Sequence, residues 1–211
     1  MRAHVHPETI RKIIAHYKLT NEVRASEREW WTASGAPFST VVARAAEGKL
    51  PNGKRHPHQR RLTKSAIEGC INALSPILDR LENSADFFQL WRSITGAYEG
   101  VRGAGELAAY DTADRIRHRL GLESTHLVYL HAGTRIGARM LAGGRLPKES
   151  GWAIQRWEVP EGLRVLDNHE LEDVLCIYKG DLLLTPAELS AKWGRGREAI
   201  CGIPSASVAR C

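Results

Sequence analysis

The stretch Val101-Arg-Gly-Ala-Gly-Glu-Leu-Ala-Ala-Tyr-Asp111 restricts the architecture more than any other part of the chain. A helix-like run from Ser84 to Tyr98 leads into its Gly-x-Gly turn, and a second helix-like run continues to about Leu120. The two helices are therefore joined by a glycine hairpin. Gly103 and Gly105 let the backbone turn sharply, because glycine tolerates φ > 0, and they leave no side chain in the way. The amides that open the second helix are then free to point at a phosphate, an anion the helix dipole also favours. The hairpin alone thus points to a polyanionic partner.

The rest of the chain reads as mainly all-α. Pro7 to Tyr17 sets Ile10, Ile13 and Ile14 on one helical face. Asn21 to about Glu47 reads as two helices interrupted near Ser34-Gly-Ala-Pro37. Leu62 to Leu81 repeats Ile67, Ile71, Leu74, Leu78 and Leu81 at helical spacing, with a bend expected at Pro76. Ser84-Ala-Asp86 opens the next helix in the manner of a cap. Further helices are expected over Thr134–Leu141, Glu170–Tyr178 and Pro186–Trp193, while Leu127-Val-Tyr-Leu130 is too short an apolar run to assign. No repeat, low-complexity tract or long linker interrupts the 211 residues, which suffice for one bilobal domain or two small ones.

Charge and cysteine usage agree with the hairpin. Thirty Lys and Arg against 24 Asp and Glu give a net charge of +6, which favours an acidic partner. Cys70, Cys176, Cys201 and Cys211 form no Cys-x-x-Cys pair and no zinc spacing, so reduced thiols and a cytoplasmic setting (bacterial cytosol or nucleoid) are expected. No apolar signal core is read at the start. No apolar run approaches the roughly 20 residues of a membrane span, and neither a membrane nor an obligate protein partner is expected.

Several clusters have the residue types that chemistry needs. Asp111 lies one helical turn beyond Leu107, on a stripe that reads as buried, and a buried carboxylate must be paired or functional. Asp114 and Arg115 to Arg119 read instead as a solvated face. In Tyr129-Leu-His-Ala-Gly-Thr-Arg135 a histidine ends an apolar run, and a tight turn feeds a helix. His131 there is a structural cap or a group that binds phosphate or moves protons, with Thr134 beside it. Arg135 and Arg139 share a face and suit a phosphate or a carboxylate such as Asp111. Lys54-Arg-His-Pro-His-Gln-Arg-Arg61 packs four cations and two histidines into eight residues. Lys54, Arg55, His56, His58, Arg60 and Arg61 read as a phosphate-contacting loop, stiffened by proline. His-x-His can ligate metal, but no neighbouring carboxylate or cysteine completes a site by spacing, so no metal or other cofactor is expected. Glu170-Leu-Glu-Asp173 is an acidic cluster at a helix start, with Cys176 behind it.

The order of a helical run, the hairpin VRGAGELAAYDTADRI, the linker GLESTHLVYL and a new helix near Gly133 resembles the helix-hairpin-helix DNA glycosylase superfamily. By motif the resemblance covers roughly residues 84 to 142, with the hairpin at about 84–120. It implies a single bilobal helical domain over 1–211 that grips double-stranded DNA and flips a nucleotide into a pocket between two lobes. Gly103 and Gly105 match the hairpin glycines, and Arg102 stands beside them. The family's lysine nucleophile falls at Leu107, so a covalent lyase step is not implied. Where the family has an aspartate after the linker, this chain has His131-Ala-Gly133. Asp111 then becomes the candidate carboxylate for the oxocarbenium-like state, and His131 the group that binds or protonates the leaving base. Tyr110, Tyr129, Thr134 and Arg135 are the candidate base pocket.

The resulting expectation is a monofunctional glycosylase that releases a modified or damaged base, in base-excision repair or antiviral defence against phage with modified bases. Two other readings are kept. One is a helix-hairpin-helix protein that binds DNA without cutting it. The other is a metal-dependent nuclease using His56, His58, Glu172 and Asp173.

Overall fold

The computed structural model describes residues 5–20, 28–32, 35–50, 53–122, 127–143 and 152–194, without the side chains at 57 and 58. Residues 21–27 of the second expected helical region, positions 51–52 before the basic loop, 123–126 of the linker, and Cys201 and Cys211 lie outside these. In chain order the helices are α1 (Pro7–Thr20), α2 (28–32), α3 (Phe38–Glu47), α4 (Lys64–Leu74) and α5 (Leu78–Glu82). They continue with α6 (Phe87–Tyr98), α7 (Glu106–Leu120), α8 (Ala132–Leu141), α9 (Asn168–Ile177) and α10 (Pro186–Gly194). The described chain is thus mainly helical. It also contains two short strands, β1 (Leu127–Tyr129) and β2 (Ala153–Gln155), so the apolar run after the linker is a strand. They pair antiparallel with Val128 opposite Ile154.

The chain forms two compact units. One joins Met1–Glu22 to Ser124–Cys211, and the other is Val23–Glu123. They are called the flanking unit and the hairpin unit below.

In the hairpin unit α6 packs on α7, α3 on α7 and α4, and α4 on α6. The expected bend at Pro76 is a 3-10 turn over Ser75–Ile77, because proline has no amide to continue the α4 ladder. Asp86 caps α6 by accepting from the Gln89 amide at 2.8 Å, a contact worth about 1 kcal/mol. A 3-10 turn over Pro57–Arg61 replaces part of the expected loop, since proline at the first helical position is already set to a helical φ. The expectation of a solvated face over Arg115 to Arg119 holds for exposed Arg119 and is corrected at Arg115 and Arg117. Arg115 and Arg117 are buried, with Arg117 only 2% exposed. Arg115 Nη1 donates to the Ala45 carbonyl of α3 (3.2 Å), and Arg117 Nε donates to Asp114 (2.7 Å). Their long aliphatic stems lie in the core, while the Ala45 carbonyl of α3 accepts from one guanidinium and the Asp114 carboxylate of α7 from the other.

In the same core, Tyr98 Oη lies 3.2 Å from Thr112 Oγ1. Burial pushes the Tyr98 phenol far above its ordinary range, reinforced by the nearby Cys70. Burial likewise pushes the Cys70 thiol up, against a hydrogen bond with Tyr98.

In the flanking unit Ile10, Ile13 and Tyr17 of α1 join Val128, Leu171 and Leu175 in one apolar core. α8 and α9 pack against each other along their lengths. Gly137 permits that approach: a Cβ there would lie 2.1 Å from the Leu175 carbonyl oxygen. The α9 start is a capping box in which Asp167 accepts from the Glu170 amide and Glu170 accepts from the Asp167 amide. Asp181, buried, holds α10 through Lys192 Nζ (2.6 Å) and Trp193 Nε1 (3.2 Å).

Candidate nucleic-acid interface and a buried polar centre

The hairpin is a four-residue turn. The Ala104 amide donates to the Val101 carbonyl at 3.1 Å, and Gly103 at the third position has φ +93. That is the position where such a turn requires a left-handed residue. Gly105 is different. It caps α7 with φ −109 and ψ −177, extended backbone open to any residue, and a Cβ there would meet nothing within 4 Å. Its missing side chain therefore leaves the start of α7 bare toward the outside, and nothing inside the unit demands it.

The hairpin docks on α4. Val101 Cγ1 lies 2.9 Å from where a Cβ of Gly69 would be, and Ala66 Cβ 3.4 Å from the corresponding point at Gly103. Thr63 caps α4, accepting from the Ala66 amide at 3.2 Å. The basic loop runs directly into this cap, so its C-terminal end and the hairpin meet at the first turn of α4. Arg60, Arg61, Lys64 and Arg102 are all exposed. Further back in the loop, Lys54 is exposed, while Arg55 Nη1 donates to the Leu62 carbonyl (3.3 Å) and closes the loop on itself. His56 is half-buried, and its amide donates to the Gly48 carbonyl (2.8 Å). The side chain of His58 lies outside the described residues.

Asp111 sits on α7 with its side chain 13% exposed, and Arg115 Nη2 is 4.0 Å from Oδ2. Tyr110 is buried edge-on to Phe87, with ring centroids 5.6 Å apart.

The other candidate residues belong to the flanking unit. His131 is the N-cap of α8, so the helix begins directly after it, without the separate turn expected from Ala-Gly-Thr. Its Nε2 is 2.6 Å from Thr134 Oγ1, which in turn donates to the Glu172 carbonyl at 3.4 Å. Glu172 Oε1 accepts the Tyr129 amide at 2.9 Å, and Oε2 lies 3.6 Å from His169 Nδ1. His131, Thr134, His169 and Glu172 are all buried, which makes a polar centre where β1, α8 and α9 meet. Cys176 Sγ lies over Gly133 at the same end of α8. Arg135 Nη2 donates to the Leu130 carbonyl (2.7 Å), tying the helix to the strand end. The Tyr129 ring lies 5.8 Å from Trp152, which is partly exposed.

The structure thus brings His131 and Thr134 together, with Tyr129 and Arg135 at the same junction. Asp111 and Tyr110 lie in the hairpin unit. His169 escaped the sequence reading. Its signal was its place three residues before Glu172, one turn away on a single helical face. Of the residues named for a nuclease, His56 falls in the hairpin unit and Glu172 and Asp173 in the flanking unit, where Asp173 accepts from Tyr17 Oη at 2.8 Å. Among the described residues no group of three or more His, Cys, Asp or Glu is arranged to hold a metal ion. None of the described helices is long and apolar enough to cross a membrane.

Compared with protein-family models, with curated proteins and with solved structures, the chain matches none.

Proposed function

We propose that this protein is a monofunctional DNA glycosylase that hydrolyses the N-glycosidic bond of a modified or damaged base. One observation carries the reading: a turn with φ +93 at Gly103 delivers a bare α7 start beside exposed Arg102 and the Arg60–Lys64 end of the basic loop. Backbone amides and several cations around one helix start are the arrangement that a nucleic-acid backbone recognises. In this reading Asp111 is the carboxylate that stabilises positive charge developing on the sugar, as an anion close to an oxocarbenium-like centre does. His131 meets the leaving base. Tyr129 and Arg135 hold the β1–α8 junction around it, and Tyr110 anchors α7 in its own core.

The test is release of free base and formation of alkali-labile sites on duplex DNA carrying different modified bases, in EDTA. Asp111→Asn is expected to lose base release while still binding DNA. Undiminished turnover in that variant would remove Asp111 from the mechanism.

A second reading is favoured by one contact. Arg115 at 4.0 Å offsets part of the Asp111 charge, which suits a protein that binds DNA and leaves its glycosidic bonds intact. That reading expects steeply salt-dependent binding and no free base from any substrate.

A further inference from the structure

His131 lies in the buried polar centre of the flanking unit, with Thr134 beside one of its ring nitrogens. Thr134 is fully buried and its hydroxyl has two neighbours, His131 Nε2 at 2.6 Å and the Glu172 carbonyl at 3.4 Å. A hydroxyl carries one hydrogen and can accept through its lone pairs, whereas a main-chain carbonyl only accepts. The arrangement that uses both neighbours has Thr134 donating to Glu172 and accepting from His131. The partner of one ring nitrogen thereby determines the state of the other.

We infer that Thr134 is a positioning residue that holds the His131 proton on Nε2, so that Nδ1 carries the lone pair with which the imidazole accepts a hydrogen bond or a proton. The Glu172 carbonyl is held in place because the same residue's carboxylate accepts the Tyr129 amide at 2.9 Å, tying α9 to β1. The Cε1 edge of the imidazole lies toward Gly133, 3.6 Å from the place a Cβ would occupy, so the ring folds back over the first turn of α8. The role of Nδ1 in base release rests on the glycosylase reading, whereas the tautomer itself does not.

Nitrogen-15 NMR of imidazole-labelled protein tests this, with the His131 signals assigned from a His131→Asn variant. In the neutral protein Nε2 is expected to show the shift of a protonated nitrogen and Nδ1 that of a lone-pair nitrogen. Thr134→Val, similar in shape without the hydroxyl, is expected to mix the two tautomers, and Thr134→Ser to keep the single form. Base release should fall on the order of 10-fold or more in the valine variant, as expected when a proton-handling group loses its orientation. A wild-type spectrum with the proton on Nδ1 overturns the inference, as does a folded valine variant that keeps the single Nε2–H form. If the valine variant does not fold, the wild-type and serine spectra decide. The expected tautomer without base release from any substrate would overturn the glycosylase reading and leave the inference standing. Base release with the opposite tautomer would do the reverse.

Discussion

The hairpin's cations and the polar centre of the flanking unit lie in opposite surroundings. The hairpin unit keeps Lys54, Arg60, Arg61 and Arg102 exposed, where hydration costs little and attraction for a distant anion is retained. The flanking unit buries His131, Thr134, His169 and Glu172 beside its apolar core, where polar groups must be hydrogen-bonded or paired. Contacts within that centre include 2.6 Å from His131 to Thr134 and 2.9 Å from the Tyr129 amide to Glu172. The contrast separates binding from architecture. Substitutions around the hairpin should change affinity for DNA with little effect on stability, whereas those at the polar centre should disturb the fold.

The largest expected effect tests the flanking unit. Gly137→Val places a Cβ 2.1 Å from the Leu175 carbonyl oxygen, a backbone atom that cannot rotate away. A loss of about 3 kcal/mol is expected, read from the urea midpoint. An unchanged midpoint would mean that α8 and α9 are not packed this tightly.

Next comes the buried pair of the hairpin unit. Cys70 and Tyr98 both have folded-state values raised by burial. The folded form therefore holds its protons more tightly, and their stabilising contribution is complete below the ordinary thiol and phenol values. Stability should begin to fall as pH rises past the ordinary thiol value of about 8.5 and fall more steeply above about 10. Tyr98→Phe should remove the steeper part and leave the first. A urea midpoint independent of pH from 8 to 11 in the wild type would contradict the burial of both groups.

The smallest stability effect belongs to the exposed cations. Arg102→Ala should alter folding stability by less than about 0.5 kcal/mol. The slope of log affinity against log salt for duplex DNA should nevertheless become shallower by about 1, the value of one lost phosphate contact. Arg60→Ala should do the same. A substantial loss of stability, or an unchanged slope, would break the distinction between the two units.

The elements were legible where one local rule was enough. Pro76 announced the bend between α4 and α5, Asp86 the cap of α6, and the Gly-x-Gly stretch the turn before α7. The role of a charge was harder to read, because it depends on what covers it. Arg115 and Arg117 look like surface residues on a helical wheel, yet both are buried, and α3 supplies the Ala45 carbonyl to Arg115. The two hairpin glycines also look equivalent in the sequence. Only Gly103 has a left-handed backbone, and Gly105 is extended.

What the sequence by itself determined is the set of features whose causes lie within a few residues: helical periodicity, caps, the bend, the glycine turn and the cationic loop. Only the tertiary structure decided that the loop ends at the hairpin, because that meeting runs through α4, where Ala66 and Gly69 receive Gly103 and Val101. It likewise decided that Glu172 and Thr134, 38 positions apart, surround His131 in one buried centre. The physical reason is the same in both places. Backbone geometry and capping act locally, whereas burial and hydrogen-bond partnership depend on which distant segment packs alongside.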